Sequence, residues 1–251
     1  MKKVIIIILV SLNCFAFAQT DSKTVVAKST TSTKTPKVFL IGNIGGGVLI
    51  GTQKVNNQAE KDLVNTLRKG LVFDLGLYFK LNNGNALGFK FNRFGSSGTI
   101  KRSVYNSSGD LVTITGDEKI SLNFYSLSYL LNFNKSNSPH DFSMELAAGY
   151  FAYVDEFVIS ATINGSKATL PSDLTYGNQN GGAFGFLGGL GYKYRVSDKF
   201  SVGPNINFLI GTVSEVEQKY PGSPKRNVNL PTEDYISLAR IDFSVGAIFK
   251  L

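Results

Sequence analysis

The side chains able to do chemistry are few. In 251 residues there is one histidine, His140, and one cysteine, Cys14. Ser-His-Asp catalysis needs an imidazole held beside its nucleophile. His140 instead stands beside Pro139 and Asp141 in a short polar stretch that reads as a turn. Cys14 falls in the first twenty residues, inside a segment read below as removable, so the remaining chain has no thiol for a disulfide, a metal or a nucleophile. No dense carboxylate set suggests calcium, and a His/Cys metal cluster is impossible. Gly45-Gly46-Gly47 lacks the following Lys-Ser/Thr and the helix pattern of a phosphate loop. The expectation is a chain without catalytic residues, metal or cofactor, and not an enzyme. What remains is a set of charges at alternate positions: Asp74, Lys80, Lys90, Glu145, Lys193, Arg240, Asp242 and Lys250. Both signs are present. Their chemistry is either mutual pairing in a filled interior or the lining of a narrow solute path.

These charges are positioned by strands. In Ala239–Leu251, Ile241, Phe243, Val245, Ala247, Phe249 and Leu251 share one face. Arg240, Asp242, Ser244, Gly246 and Lys250 share the other, with Ile248 an apolar intruder. A period of two marks a pleated strand. The same alternation runs through Val38–Ile50, Leu71–Leu81, a third strand from Ala86, Ile120–Phe133, a fifth strand through Phe142–Ala152, Ala183–Val196, Phe200–Ile210 and Tyr235–Leu251. That makes eight strands. In each, apolar and aromatic residues occupy one face, and glycine, asparagine and the charges above occupy the other.

No segment after the first twenty residues is apolar over the length a membrane helix needs, and mean hydropathy is +0.02. Neither excludes a membrane β-barrel, whose alternating strands average to neutral. Lys2 and Lys3, the apolar run Val4–Val10 and Ala16-Phe17-Ala18 form a secretory signal peptide over residues 1–18, cut before Gln19. Its removal lowers the formal charge from +8 to +6. Residues 19–36, rich in Ser, Thr and Lys, read as a disordered periplasmic lead-in, and residues 37–251 as the barrel. Links near Asn83, Asn137 and Asp198 are short. Those at Thr52–Gly70, Gly95–Lys119, Asp155–Gly182 and Gly211–Asp234 are long and polar, as in barrels with short periplasmic turns and long outer loops. Phe79, Phe133, Phe142, Tyr194, Phe200 and Phe249 sit beside the short turns, where a membrane girdle belongs.

Two long links carry patterns of their own. Ile100–Thr115 brackets a turn at Asn106–Asp110, and Phe157–Leu170 brackets Asn164-Gly165, a favoured hairpin turn. They stand either as hairpins above the membrane or as extra staves of a larger barrel. The polarity of Arg102, Ser103, Thr113, Thr115, Ser160, Thr162 and Lys167 favours eight spanning strands. Pro204, which cannot donate to a ladder, reads as a bulge.

Phe124–Phe133 before a short turn, Phe200–Gly211 and the terminal strand resemble the outer-membrane β-barrel (porin family, OmpA/OmpX-like) proteins of Bacteroidetes-type Gram-negative bacteria. The likeness is one of pattern over Lys37–Leu251. It implies an eight-stranded antiparallel up-and-down transmembrane barrel in the outer membrane, a monomer in contact with membrane lipid and lipopolysaccharide, delivered by the barrel assembly machinery and binding no nucleic acid. Such barrels usually end on an aromatic residue; this sequence reads Phe249-Lys250-Leu251. The fold so implied serves a structural or surface-interaction role with a largely filled lumen, or alternatively a narrow conduit. A secreted lipocalin-like binder would need its polar and apolar faces exchanged. The inner charges are expected to neutralise one another, with Arg240 and Asp242 finding partners across the lumen.

Overall fold

Alternating sequences leave every backbone N–H and C=O pointing sideways, so each strand requires a neighbour on both edges wherever water is absent. The chain meets that requirement by closing on itself. The computed structural model describes residues 38–51, 58–81, 84–133, 138–170 and 176–251, with backbone alone at 58–60. The signal peptide, the lead-in and the turn residues Asn82, Asn83 and 134–137 lie outside the described residues.

Eight strands form the wall: β1 (Val38–Leu49), β2 (Lys69–Lys80), β3 (Ala86–Tyr105), β4 (Leu111–Asn132), β5 (His140–Ile163), β7 (Tyr176–Arg195), β8 (Phe200–Val213) and β12 (Arg240–Lys250). Each pairs antiparallel with the next, and β12 pairs β1 from Phe39↔Lys250 to Leu49↔Arg240. The terminal strand therefore seals the ring, and the up-and-down barrel expected from the alternation is the fold. Short elements lie at the long-loop end: helix α1 (Gln58–Leu67), β6 (Ser166–Lys167), β9 (Glu215–Lys219), β10 (Arg226–Asn229), a 3-10 turn (Thr232–Asp234) and β11 (Ile236–Ser237).

The faces divide as the period of two requires. Leu71, Phe89, Phe184, Phe186, Leu190 and Val245 are among the large apolar side chains left exposed around the outside. So broad a continuous apolar exterior on a closed barrel, with no sheet edge open within it, is the surface of a membrane-spanning barrel. No helix among the described residues is long and apolar enough to cross a membrane; the strands do the crossing.

Three features depart from the sequence expectation. The segments Gly95–Lys119 and Asp155–Gly182 are not loops over most of their length. β3 and β4 stay paired up to Tyr105↔Leu111, and β5 pairs β4 up to Val112↔Ile163, so the two hairpins are the wall itself continued upward and the barrel keeps eight staves. Polar residues on both faces conceal such an extension, because a strand standing in water needs no apolar belt. Pro204 is not a bulge. It faces Val245 in an unbroken β8–β12 register, and β7 keeps one register with β8 on either side of it, from Gly191↔Asn205 to Tyr194↔Val202. The bulge lies further on. From Gly185↔Gly211 to Gly181↔Val216, β7 advances four residues and its partner five, which bends the outer end of the wall. Thr52–Gly70, read as a loop, contains α1, whose Leu63 and Leu67 pack onto Gly98 of β3.

The interior is layered. At the short-turn end Phe39, Ile41, Tyr78, Ala86 and Leu130 form a small apolar plug. At the long-loop end Val72, Phe94, Leu122, Phe124, Phe151 and Leu209 anchor a larger one, closed over by Leu67 of α1, Val213, Val216 and Leu238. The polar layer lies between them.

Candidate functional site: the charged layer of the lumen

The inward positions of neighbouring staves bring together groups far apart in sequence. Asp74 of β2, Lys90 of β3 and Glu145 of β5 are all buried, as are Lys193 of β7 and Arg240 and Asp242 of β12. Lys80 and Lys250 stand apart from the rest of the expected set: at the short-turn ends of β2 and β12, Lys80 is exposed and Lys250 half-buried, and neither is among the buried charges.

Lys90 Nζ is the centre of the layer. It lies 2.7 Å from Glu145 Oε2 and 3.3 Å from Asp74 Oδ2. Glu145 Oε1 accepts hydrogen bonds from Tyr78 Oη and Ser128 Oγ, both at 2.5 Å. Asp74 accepts from Asn43 Nδ2. Lys193 Nζ donates to Asn43 Oδ1 at 3.3 Å and to two backbone carbonyls, Gly203 O at 2.8 Å and Gly246 O at 3.2 Å. Two ammonium groups thus share a layer with two carboxylates, and the local charge sums to zero. A carboxylate or ammonium without such a partner would cost several kcal/mol to hold here.

Arg240 and Asp242 do not reach a charged partner across the lumen. They are neighbours on the same face of β12, and Arg240 Nε donates to Asp242 Oδ1 at 2.9 Å with both side chains fully buried. What crosses the lumen is neutral: Asn92 of β3 accepts from Arg240 Nη2 and donates to Asp242 Oδ2 at 3.3 Å. The guanidinium also lies 5.2 Å from the centroid of the Phe94 ring, a cation–π contact. The pair therefore joins the polar layer to the upper apolar one.

Glycines make the room. A Cβ on Gly47 of β1 would fall 2.6 Å from Asp242 Oδ1, and one on Gly246 of β12 would collide with Asn43. At these two positions a neighbour's polar side chain lies flat on the wall. In the Gly45–Gly47 run, Gly47 has this role, while Gly45 lies against the backbone of Phe243 and Ser244. Beside Lys193 the layer keeps a cavity of ≈ 20 Å³, bordered by Lys90, Ser143, Glu145, Asn205 and Asn207. That is room for about one water, and buried Asn207 Nδ2 has no protein acceptor.

The girdle residues Phe79, Phe133, Phe142, Tyr194, Phe200 and Phe249 are 38–55% exposed on the outer face at the short-turn end. His140 is the first residue of β5, exposed, with Nδ1 2.8 Å from the hydroxyl of Tyr192. It faces no nucleophile in the lumen. No group of three or more His, Cys, Asp or Glu among the described residues is placed to hold a metal ion.

Asn43, Tyr78 and Asn92 are readable as inner-face residues but not as partners of the charges, and Ser128 and the inward aromatics Phe94, Phe124 and Phe151 were not singled out from the sequence. Their signal was present in the alternation, since each lies on the inward parity of its strand. What the alternation lacks is a way to tell an inward Phe that fills a lumen from one that breaks the pattern.

No protein-family model matches the chain, and no curated protein sequence is similar to it. Among solved structures, a major outer membrane protein from Thermus thermophilus is similar at 10% identity and TM-score 0.50, covering 84% of this chain and 98% of that one. OprG from Pseudomonas aeruginosa is 12% identical with TM-score 0.41, covering 86% and 98%. Neisserial surface protein A is 11% identical with TM-score 0.38, covering 86% and 97%. The first of these likenesses supports the fold: an outer-membrane type of β-barrel.

Proposed function

We propose that this chain is a monomeric, non-enzymatic barrel of the bacterial outer membrane with a closed lumen, working through the wall it raises above the membrane. The observation that carries the reading is the lumen itself. Two apolar plugs enclose a neutral layer in which Lys90 is held between two carboxylates, and the remaining cavity admits about one water. A closed lumen leaves the outer face and the raised part of β3, β4 and β5 as the surface offered to other molecules. The secretory signal and the fold likeness support the outer membrane as its place. The pattern of Phe124–Phe133 and Phe200–Gly211 supports a Bacteroidetes-type, Gram-negative source, and the barrel assembly machinery is the corresponding insertion route. Contact with lipid and lipopolysaccharide follows from the apolar belt.

A narrow conduit is the second reading, and the cavity beside Lys193 is what favours it. Planar-bilayer recording separates the two. A closed lumen gives no steady conductance from the purified barrel, whereas a stable single-channel step would establish the conduit. Membrane fractionation tests the location, with recovery in the soluble periplasm overturning the membrane assignment altogether.

A further inference from the structure

The exterior just above the apolar belt is chemically lopsided. On β2 the belt runs Phe79, Leu77, Leu75, Phe73, Leu71 and ends at Lys69. On β3 it runs Leu87, Phe89, Phe91 and ends at Arg93. On β4 it ends at Tyr125, followed outward by Asn123, Ser121 and Lys119. All three cations are exposed, and none has an ion pair or hydrogen bond from its side chain among the described residues. Lys119 faces Glu156 across the ladder without reaching it. Asp117 on β4, which accepts a hydrogen bond from Thr99, and Glu156 on β5 border the far side of Lys119, and further round, the exterior above the belt carries Asn178 and Asn180 on β7 and Glu215 and Glu217 on β9.

The register places the three cations around one spot. Lys119 is opposite Ser97, and Lys69 continues the β2–β3 register to the other side of the same Ser97. Two strand spacings separate them, about 10 Å. Arg93 lies four residues down β3 from Ser97, about 13 Å. Between them is Gly95, opposite Leu71 on one side and Ser121 on the other. A side chain at Gly95 would meet nothing within 4 Å, so it leaves an open notch in the outer surface. Long Lys and Arg side chains span such distances, so donors from all three can reach one ligand at the level where a lipid's headgroup begins.

We propose that the notch at Gly95, flanked by Lys69, Arg93 and Lys119, binds the phosphate groups of an anionic glycolipid of the outer leaflet. Its acyl chains lie along Leu71, Phe73, Phe89 and Phe91, and its phosphates lie among the three cations. Arg93 supplies a forked donor suited to phosphate oxygens, and the two lysines supply point charges. The apolar belt directly below favours a lipid over a free anion, because only a lipid fills both. The inference rests on the outer-membrane reading above, with the long-loop end outward.

The test uses the full-length barrel in zwitterionic bicelles, titrated with phosphorylated lipopolysaccharide, with the dephosphorylated glycolipid, or with inorganic phosphate. Apparent affinity is read from the rise in Tm. The wild-type barrel is expected to respond to the phosphorylated lipid alone, and the response to weaken with salt. The triple variant Lys69→Glu, Arg93→Glu, Lys119→Glu is expected to bind roughly 100-fold more weakly. Gly95→Leu is expected to weaken binding without changing charge. Unaltered Tm of both variants in the zwitterionic bicelles without added glycolipid shows that the barrel is intact. An equal response in wild type and triple variant, or an equal response to the dephosphorylated lipid, overturns the proposal. A response to inorganic phosphate that matches the lipid's overturns the choice of a lipid. Fractionation outside the outer membrane would sink the location and leave the bicelle titration standing, so the two failures are distinguishable.

Discussion

In the short-turn half of the lumen Lys90 lies between Asp74 and Glu145, with Tyr78, Ser128 and Asn43 supplying the remaining hydrogen bonds. In the long-loop half Phe124 stacks on Phe151 at 4.4 Å between centroids, and both rings are fully buried. The two halves fill similar space between the same eight staves by different means. The charged half is held by partners that must all be present, so its cohesion fails at once when one is removed. The apolar half is held by many weak contacts and loses stability in proportion to the volume removed. Arg240 and Asp242, an ion pair bridged by Asn92 and resting on Phe94, stand at the join.

The largest expected effect tests the first half. Glu145→Ala strips Lys90, Tyr78 and Ser128 of their shared acceptor and should cost about 3–5 kcal/mol in urea unfolding from lipid vesicles. Arg240→Met alone should cost a similar ~3–5 kcal/mol by stranding Asp242. The double change Arg240→Met with Asp242→Leu, made together with Asn92→Leu so that no buried amide is left unpaired, should recover most of that, because a dry polar cluster replaced by apolar groups of like size is often neutral. A combined variant as unstable as the single one would show that pairing is not what the join requires.

Next in size is the apolar half. Phe151→Ala should cost about 3–5 kcal/mol, since the ring stacks on Phe124 and also lies over Gly185 and Gly211. Phe184→Ala, on the lipid side of the same barrel and 84% exposed, should change stability by only about 0.5 kcal/mol. Equal losses at both positions in the same unfolding assay would mean that the upper lumen is not packed as a core.

The same contrast explains what was legible in the sequence. Closure of β12 on β1 was readable because only a closed ring satisfies strands inside lipid. The inward placement of Asp74, Lys90, Glu145, Lys193, Arg240 and Asp242 was readable from parity. Partner choice was not. A period of two gives the face of Arg240 but not which of several inward groups lies within 3 Å of it, which depends on stagger between staves. The upper apolar core was missed because a lumen was expected to be polar, and inward Phe94, Phe124 and Phe151 look the same in sequence as outward rings. The raised wall was legible as two hairpins above the membrane but not as a continuation of β3, β4 and β5, because above the membrane both faces are wet, and the apolar alternation that marks a spanning strand fades.

The smallest effect probes where the apolar half meets water. Glu118 points inward on β4 above the belt, beyond Lys119 and Ser121, and has no ion pair among the described residues. Burial, reinforced by nearby Asp155, pushes its carboxyl up from the ordinary 4.5 to about 7. The folded protein then holds a proton that the unfolded chain releases near 4.5, so stability falls as pH rises through the window between about 4.5 and 7 and levels off above it. Solvent at this half-buried position screens the effect, which keeps it below the losses at Glu145 and Phe151. Glu118→Gln should flatten that slope, leaving a variant relatively more stable than wild type at pH 8 and little changed at pH 4. Unfolding midpoints measured across that range check it. A slope that survives the substitution would assign the titration to Asp155, whose carboxyl burial also raises, and would move the wet boundary of the upper core from β4 to β5.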